Sequence, residues 1–85
     1  MRYRKSKHAE DEIIRRGIPE SVVDDILQNP EQVIEMNNDT KIYQSRIDLG
    51  KGKIYLIRAI INDSIDPGVV ITVYKTSKIE KYWRK

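Results

Sequence analysis

The spacing of apolar residues along this chain changes at Pro30. Before it, Ala9, Ile13 and Ile14 form a narrow stripe at helical intervals, and Val22, Val23, Ile26 and Leu27 repeat the pattern. Ser6 stands where it can cap the first helix, which is expected to run to about Arg16. The two arginines of its last turn suit the negative end of the helix dipole, and Gly17 occupies the C′ position, where a left-handed conformation is common. Pro19 suits the first position of a second helix, Glu20 favours its N-terminus, and Asn29-Pro30 stops it. So short a join makes a helical hairpin or a sharp corner.

After Pro30, β-branched and aromatic residues bounded by turn formers signal strands. Four are readable: Gln32 to Met36, Thr40 to Asp48, Lys53 to Ile61 and Val69 to Lys75. The last two are nearly continuous apolar runs, as central strands with both faces covered require. Their connections, Asn37-Asn38-Asp39, Gly50-Lys51-Gly52 and the loop Asn62 to Gly68, are of hairpin length, so the strands pair antiparallel in chain order with the helices on one face. The expected class is α+β: two N-terminal helices followed by a four-stranded antiparallel sheet. Thr76 to Lys85 adds either a short helix through Ser77 or an extension that lies over the sheet.

With 85 residues the chain has room for one domain, residues 1–85, and one modest core. It is 39% hydrophobic and 34% charged, polar for a folded protein, but the clustering of its apolar residues points to folding rather than disorder. Cysteine is absent and His8 is the single histidine, which removes disulfides, thiolate metal sites and multi-histidine metal sites; neither a metal nor another cofactor is expected. The basic start is not followed by the apolar run of a signal peptide, and no stretch approaches the roughly 18 apolar residues of a membrane span, so a cytoplasmic location without membrane attachment is expected.

Net charge is only +3, but it is unevenly distributed. Arg2, Arg4, Lys5 and Lys7 crowd one end and Lys75, Lys78, Lys81, Arg84 and Lys85 the other, while Glu20 to Asp39 carries only acids. Basic termini that converge in space make a polyanion patch; termini that do not merely aid solubility.

Within this distribution, Lys5, Lys7 and His8 gather where helix one begins, beside backbone N–H groups that favour an anion. Imidazole exchanges a proton near neutral pH, and lysines beside it balance the charge of a phosphate; the plain alternative is an exposed or packed histidine. Thr72 and Tyr74 share one face of the last strand with Lys75 at the rim, able to bind phosphate or stack a base, or serving only as strand formers. Arg46 and Arg58 interrupt largely apolar strands, and each is expected to reach a solvated face or meet an acid; either can clamp a phosphate. Tyr82-Trp83-Arg84 combines rings and a guanidinium suited to unpaired bases, although Trp83 serves equally as a core lid.

His8-Ala9, Arg16-Gly17-Ile18, Asn29-Pro30-Glu31 and Ile71-Thr72-Val73-Tyr74, in that order and spacing, resemble a small prokaryotic family, domain of unknown function 4258. That family is in turn similar to the barnase–EndoU–colicin–RelE group, in which two helices precede a four-stranded antiparallel sheet and many members are RNA-cleaving toxins. Lys5, Lys7 and His8 are similar in arrangement to the Lys-x-Lys-His cluster of colicin D-like toxins. The resemblance implies an active face between helix one and the sheet, with Lys5, Lys7, His8, Thr72 and Tyr74 as catalytic residues. Family members often carry a basic residue one turn after the histidine, whereas this chain has Glu12, an acid that repels phosphate, orients His8, or marks a member that binds without cutting.

The expected activity is therefore a toxin-type, metal-independent ribonuclease cleaving mRNA or tRNA through 2′-hydroxyl attack. Arg4, Arg46, Arg58, Lys75, Trp83 and Arg84 would bind the RNA, and a small antitoxin protein would be its partner. The alternative is a non-catalytic RNA- or protein-binding module of the same fold.

Overall fold

Ser6 begins the first helix and also fastens it to the sheet. In the computed structural model, which describes residues 2–85, its Oγ accepts the Ala9 N–H at 3.0 Å and donates to the Ile71 carbonyl at 3.0 Å, while its own N–H donates to the Val70 carbonyl. The helix, α1 (Lys7–Arg15), buries Ala9 and Ile13. It ends in a Schellman turn: Gly17 takes φ 63°, its N–H donates to the Ile14 carbonyl, and the N–H of buried Ile18 donates to that of Ile13. Helix α2 (Glu20–Gln28) follows at once. Pro19 is its N-cap, one position before the one expected, and its carbonyl accepts from Val22 and Val23.

Four strands follow, β2 (Gln32–Glu35), β3 (Thr40–Asp48), β4 (Ile54–Asn62) and β5 (Gly68–Thr76), paired antiparallel in chain order. The expected four-stranded antiparallel sheet needs one correction. A short strand, β1 (Tyr3–Lys5), precedes both helices and pairs parallel with β5, giving a five-stranded mixed sheet in the order β1-β5-β4-β3-β2. Three residues, two of them basic, leave no periodicity to read, and the partner lies far away in sequence. A third helix, α3 (Ile79–Tyr82), meets the expected C-terminal turn, and residues 83–85 run on over the sheet.

Helices α1 and α2 cover one face. Ala9, Ile13, Ile18, Val23, Ile26 and Leu27 pack there against Ile57, Ala59 and Ile61 of β4 and Val70 and Val73 of β5. Each such large side chain, fully buried, stabilises the fold by about 1.5–3 kcal/mol. A bulge at Ile71 shifts the β4–β5 register between Ile60 and Ile61, which is why Val70 and Val73, three apart, both face the helices. Beyond the bulge, Thr72 and Tyr74 pair with Ile60 and Arg58 on the opposite face. No helix among the described residues is long and apolar enough to cross a membrane.

Candidate nucleic-acid interface

On the face turned away from α1 and α2, register aligns four polar side chains across the sheet: Gln32 opposite Gln44, Gln44 opposite Arg58, and Arg58 opposite Tyr74. They are bonded in sequence. Gln44 Nε2 donates to Gln32 Oε1 at 2.8 Å, Arg58 Nε donates to Gln44 Oε1 at 2.8 Å, and Arg58 Nη1 donates to the Tyr74 hydroxyl. The C-terminal tail closes over this row. Gln44 also donates to the Tyr82 carbonyl, while Gln32 accepts from the Arg84 N–H and donates to the Arg84 carbonyl. The Tyr82 ring centre lies 4.3 Å from the Arg58 guanidinium carbon.

Arg58 is the electrostatic anomaly of the molecule. It is 7% exposed, yet among the described residues no carboxylate forms an ion pair with it. Desolvating a guanidinium is costly, and neutral acceptors with ring faces offset only part of that cost. An anion brought to this site would supply the missing charge. Access is provided by two clefts that Arg58 shares with Arg84: one of about 440 Å³ floored by Ile34 and Ile42, the other of about 370 Å³ beside Lys81, Tyr82 and Trp83.

The residues singled out in the sequence divide between the two faces. Thr72, Tyr74 and Arg58 share the helix-free face, with Trp83 and Arg84 held over it by the tail. Arg4 alternates with Tyr3 and Lys5 and so turns to the helix-free side at the sheet edge. Arg46 meets the acid expected of it, Glu31, at 3.0 Å, and its guanidinium also lies 4.0 Å from the centre of the Trp83 ring. That pairing holds the Glu31 carboxyl below its ordinary range. Arg58 departs from expectation, since it meets no acid and is nearly buried, open to solvent only through the two clefts it lines.

Lys5 lies on the helix side, 2.7 Å from both Glu20 and Asp24 of α2. Burial alone would lower its pKa, but the bonds to Asp24 and Glu20 outweigh that and leave it raised. Lys75 also faces the helices, paired with core residue Ile57 and 5.1 Å from the Tyr55 ring centre. Lys7 is exposed and 3.5 Å from Asp11, and His8 is exposed with no hydrogen bond or ion pair to a described residue. The structure therefore separates Lys5 from Thr72 and Tyr74.

Glu12 orients arginines rather than His8. It accepts from Arg15 at 2.7 and 2.8 Å and from Arg16 at 3.0 Å, which lowers its pKa to about 2 despite partial desolvation. Arg16, so held, sets its guanidinium carbon 6.0 Å from the Tyr74 ring centre. The acid that stood out in the sequence thus has its charge matched inside α1 and its end.

Gln32 and Gln44 are the members of this constellation that pattern reading passed over, whereas Tyr82 was singled out with Trp83 and Arg84. For Gln44 a signal was present: Ile42, Gln44 and Arg46 alternate onto one face of β3, and an uncharged polar side chain in the middle of a central strand needs a buried partner.

The family model described as Domain of unknown function (DUF4258) matches residues 6–75. The chain belongs to this family. No curated protein and no solved structure matches it. Within DUF4258 the matched span runs from the Ser6 cap into β5 and includes Gln32, Gln44, Arg58 and Tyr74, whereas β1 and the tail bearing Tyr82, Trp83 and Arg84 lie outside it.

Proposed function

We propose that this DUF4258 protein is a toxin-type ribonuclease that binds single-stranded RNA across its helix-free face and cleaves it without a metal ion. The observation that carries the reading is Arg58: a nearly buried guanidinium, lacking a carboxylate, lining two open clefts and bonded to a tyrosine hydroxyl. An RNA phosphate is the anion best matched to it, because Arg84 borders both clefts and Lys81 and the Trp83 ring border the smaller one.

In the proposed reaction the 2′-hydroxyl passes its proton to a non-bridging phosphate oxygen and attacks phosphorus, the bond to the 5′-oxygen breaks as that oxygen takes a proton from Tyr74, which regains one from the phosphate, and the products are a 2′,3′-cyclic phosphate and a 5′-hydroxyl. Arg58 and Arg84 balance the charge that gathers on the phosphorane oxygens, a task for fixed cations in a site of low dielectric. Since the Tyr74 oxygen accepts from Arg58, its own proton is directed elsewhere and can be given to a phosphate oxygen or to the departing 5′-oxygen. His8, the base implied by resemblance, lies eight residues before Arg16, about 12 Å along the helix axis. In this reading it steers RNA at the rim rather than joining the Arg58–Tyr74 centre.

A non-catalytic RNA-binding module is the second reading, favoured by the absence of any imidazole from the Arg58–Tyr74 row. As one half of a toxin–antitoxin pair, the protein would be held by a small partner that offers carboxylates to Arg58 and Arg84.

Incubation of the purified protein with single-stranded RNA in EDTA tests both readings. Cyclic phosphate ends, lost in Arg58→Met and Tyr74→Phe, are the expected result. Salt-sensitive binding that depends on Arg58 but yields no cut ends would establish the module instead, and neither binding nor cutting overturns both.

A further inference from the structure

The cleft of about 440 Å³ has two unlike ends. At one stand the cations Arg58 and Arg84; the other is apolar, with Ile34 and Ile42 projecting from paired positions of β2 and β3 and Met36 at the mouth. Met36 is 51% exposed and Ile34 partly so, above the buried Ile42, so the outer part of this apolar wall is left uncovered by the protein itself. An anion alone would leave that wall wet, and a purely apolar ligand would leave Arg58 without its counter-charge. The arrangement fits a molecule with a charged head and a flat, weakly polar body at fixed separation.

We infer that the cleft is a subsite for one nucleotide, its phosphate between Arg58 and Arg84 and its base laid on Ile34, Ile42 and Met36. The inference rests on the phosphate assignment above and extends it by saying which neighbouring base is gripped and where. The volume lies within the range typical of small-ligand sites. The second cleft suits a base less well, because the Tyr82 ring there is already stacked on Arg58 and one face of Trp83 is covered by Arg46. Asn37 at the rim adds a side-chain amide, both acceptor and donor, for the base edge, so a base with an exocyclic amine is the suitable probe.

Calorimetry with cytidine 3′-monophosphate, inorganic phosphate and cytidine separates the parts of this site. The nucleotide is expected to bind at least about tenfold more tightly than inorganic phosphate, the gain coming from base contact. Replacing Ile34→Ser together with Met36→Ser should remove the gain while leaving phosphate affinity within about twofold. Both residues lie on the edge strand or its end, and methyl resonances of Ile42 shifting with nucleotide but not with phosphate give a readout in the unsubstituted protein. Equal affinity for nucleotide and phosphate overturns the base subsite and leaves the phosphate site standing. Phosphate binding that is absent, or unchanged in Arg58→Met, overturns the phosphate assignment and the subsite with it.

Discussion

Gln44 and Arg58 face each other across β3 and β4, and the Gln44 side-chain oxygen accepts the Arg58 Nε–H at 2.8 Å with both side chains out of solvent. Removing the acceptor strands a buried charge. Gln44→Leu should therefore cost about 1–3 kcal/mol, read as a lower urea midpoint. Arg58→Met, which removes the charge and keeps the volume, is expected to leave stability unchanged or raise it while RNA binding is lost. Equal destabilisation by the two substitutions would mean that Arg58 is retained for the fold.

What the sequence disclosed and what it hid follow from the range of each interaction. Ser6, Gly17 and Pro30 act on their immediate neighbours, so helix and strand limits were legible to within a residue or so. Thr72 and Tyr74 were placed on a common face by alternation alone, and the register agrees. Strand β1 was hidden because its only signal is a partner 65 residues away, Tyr3 to Gly68. The polar row across the sheet was hidden for the same reason. Nothing local marks Gln44 and Arg58 as opposite each other, and proximity in the chain grouped Lys5 with His8 although Lys5 turns to α2.

Cleavage kinetics should rank the candidate residues by distance from Arg58. Tyr74→Phe is expected to lower the single-turnover rate by about 10²-fold or more, within the range for loss of a general acid. His8→Ala is expected to lower it less than tenfold, by weakening RNA attraction. The reverse order would return the chemistry to the start of α1.

Acid stability offers a test of α1 in isolation from function. Because the folded-state pKa of Glu12 lies at about 2 against an ordinary 4.5, with its bonds to Arg15 as the main cause, the unfolded chain binds more protons between those values. The contribution of Glu12 is thus fully present above about pH 4.5 and is lost as pH falls toward 2. Thermal unfolding of the wild type and Glu12→Gln should differ at pH 7 and converge as pH approaches 2. A constant difference across that window would show that the arginines do not stabilise the carboxylate.

Gly68 reports on how closely β1 docks. A Cβ at this position would stand 2.9 Å from Cδ1 of the Tyr3 ring, which bonds through its hydroxyl to Tyr43. Gly68→Ala should cost about 1–3 kcal/mol by overpacking. In a Tyr3→Ala background the same change should cost less, and a double-mutant cycle measures the difference. Strict additivity would show that the ring moves aside freely.

The parallel ladder between β1 and β5 also has a consequence in time. Residues 3–5 leave the ribosome 65 residues ahead of the backbone groups they bond, at 68–70. The same delay applies to Tyr74, the final member of the row begun by Gln32. Until Tyr74 and Tyr82 have emerged, Arg58 has neither its hydroxyl partner nor the ring above it, and β5 lacks its antiparallel place beside β4. A chain built this way assembles its charged face only after β5 and α3 have both emerged, because the row and the ring above it are supplied by those late elements.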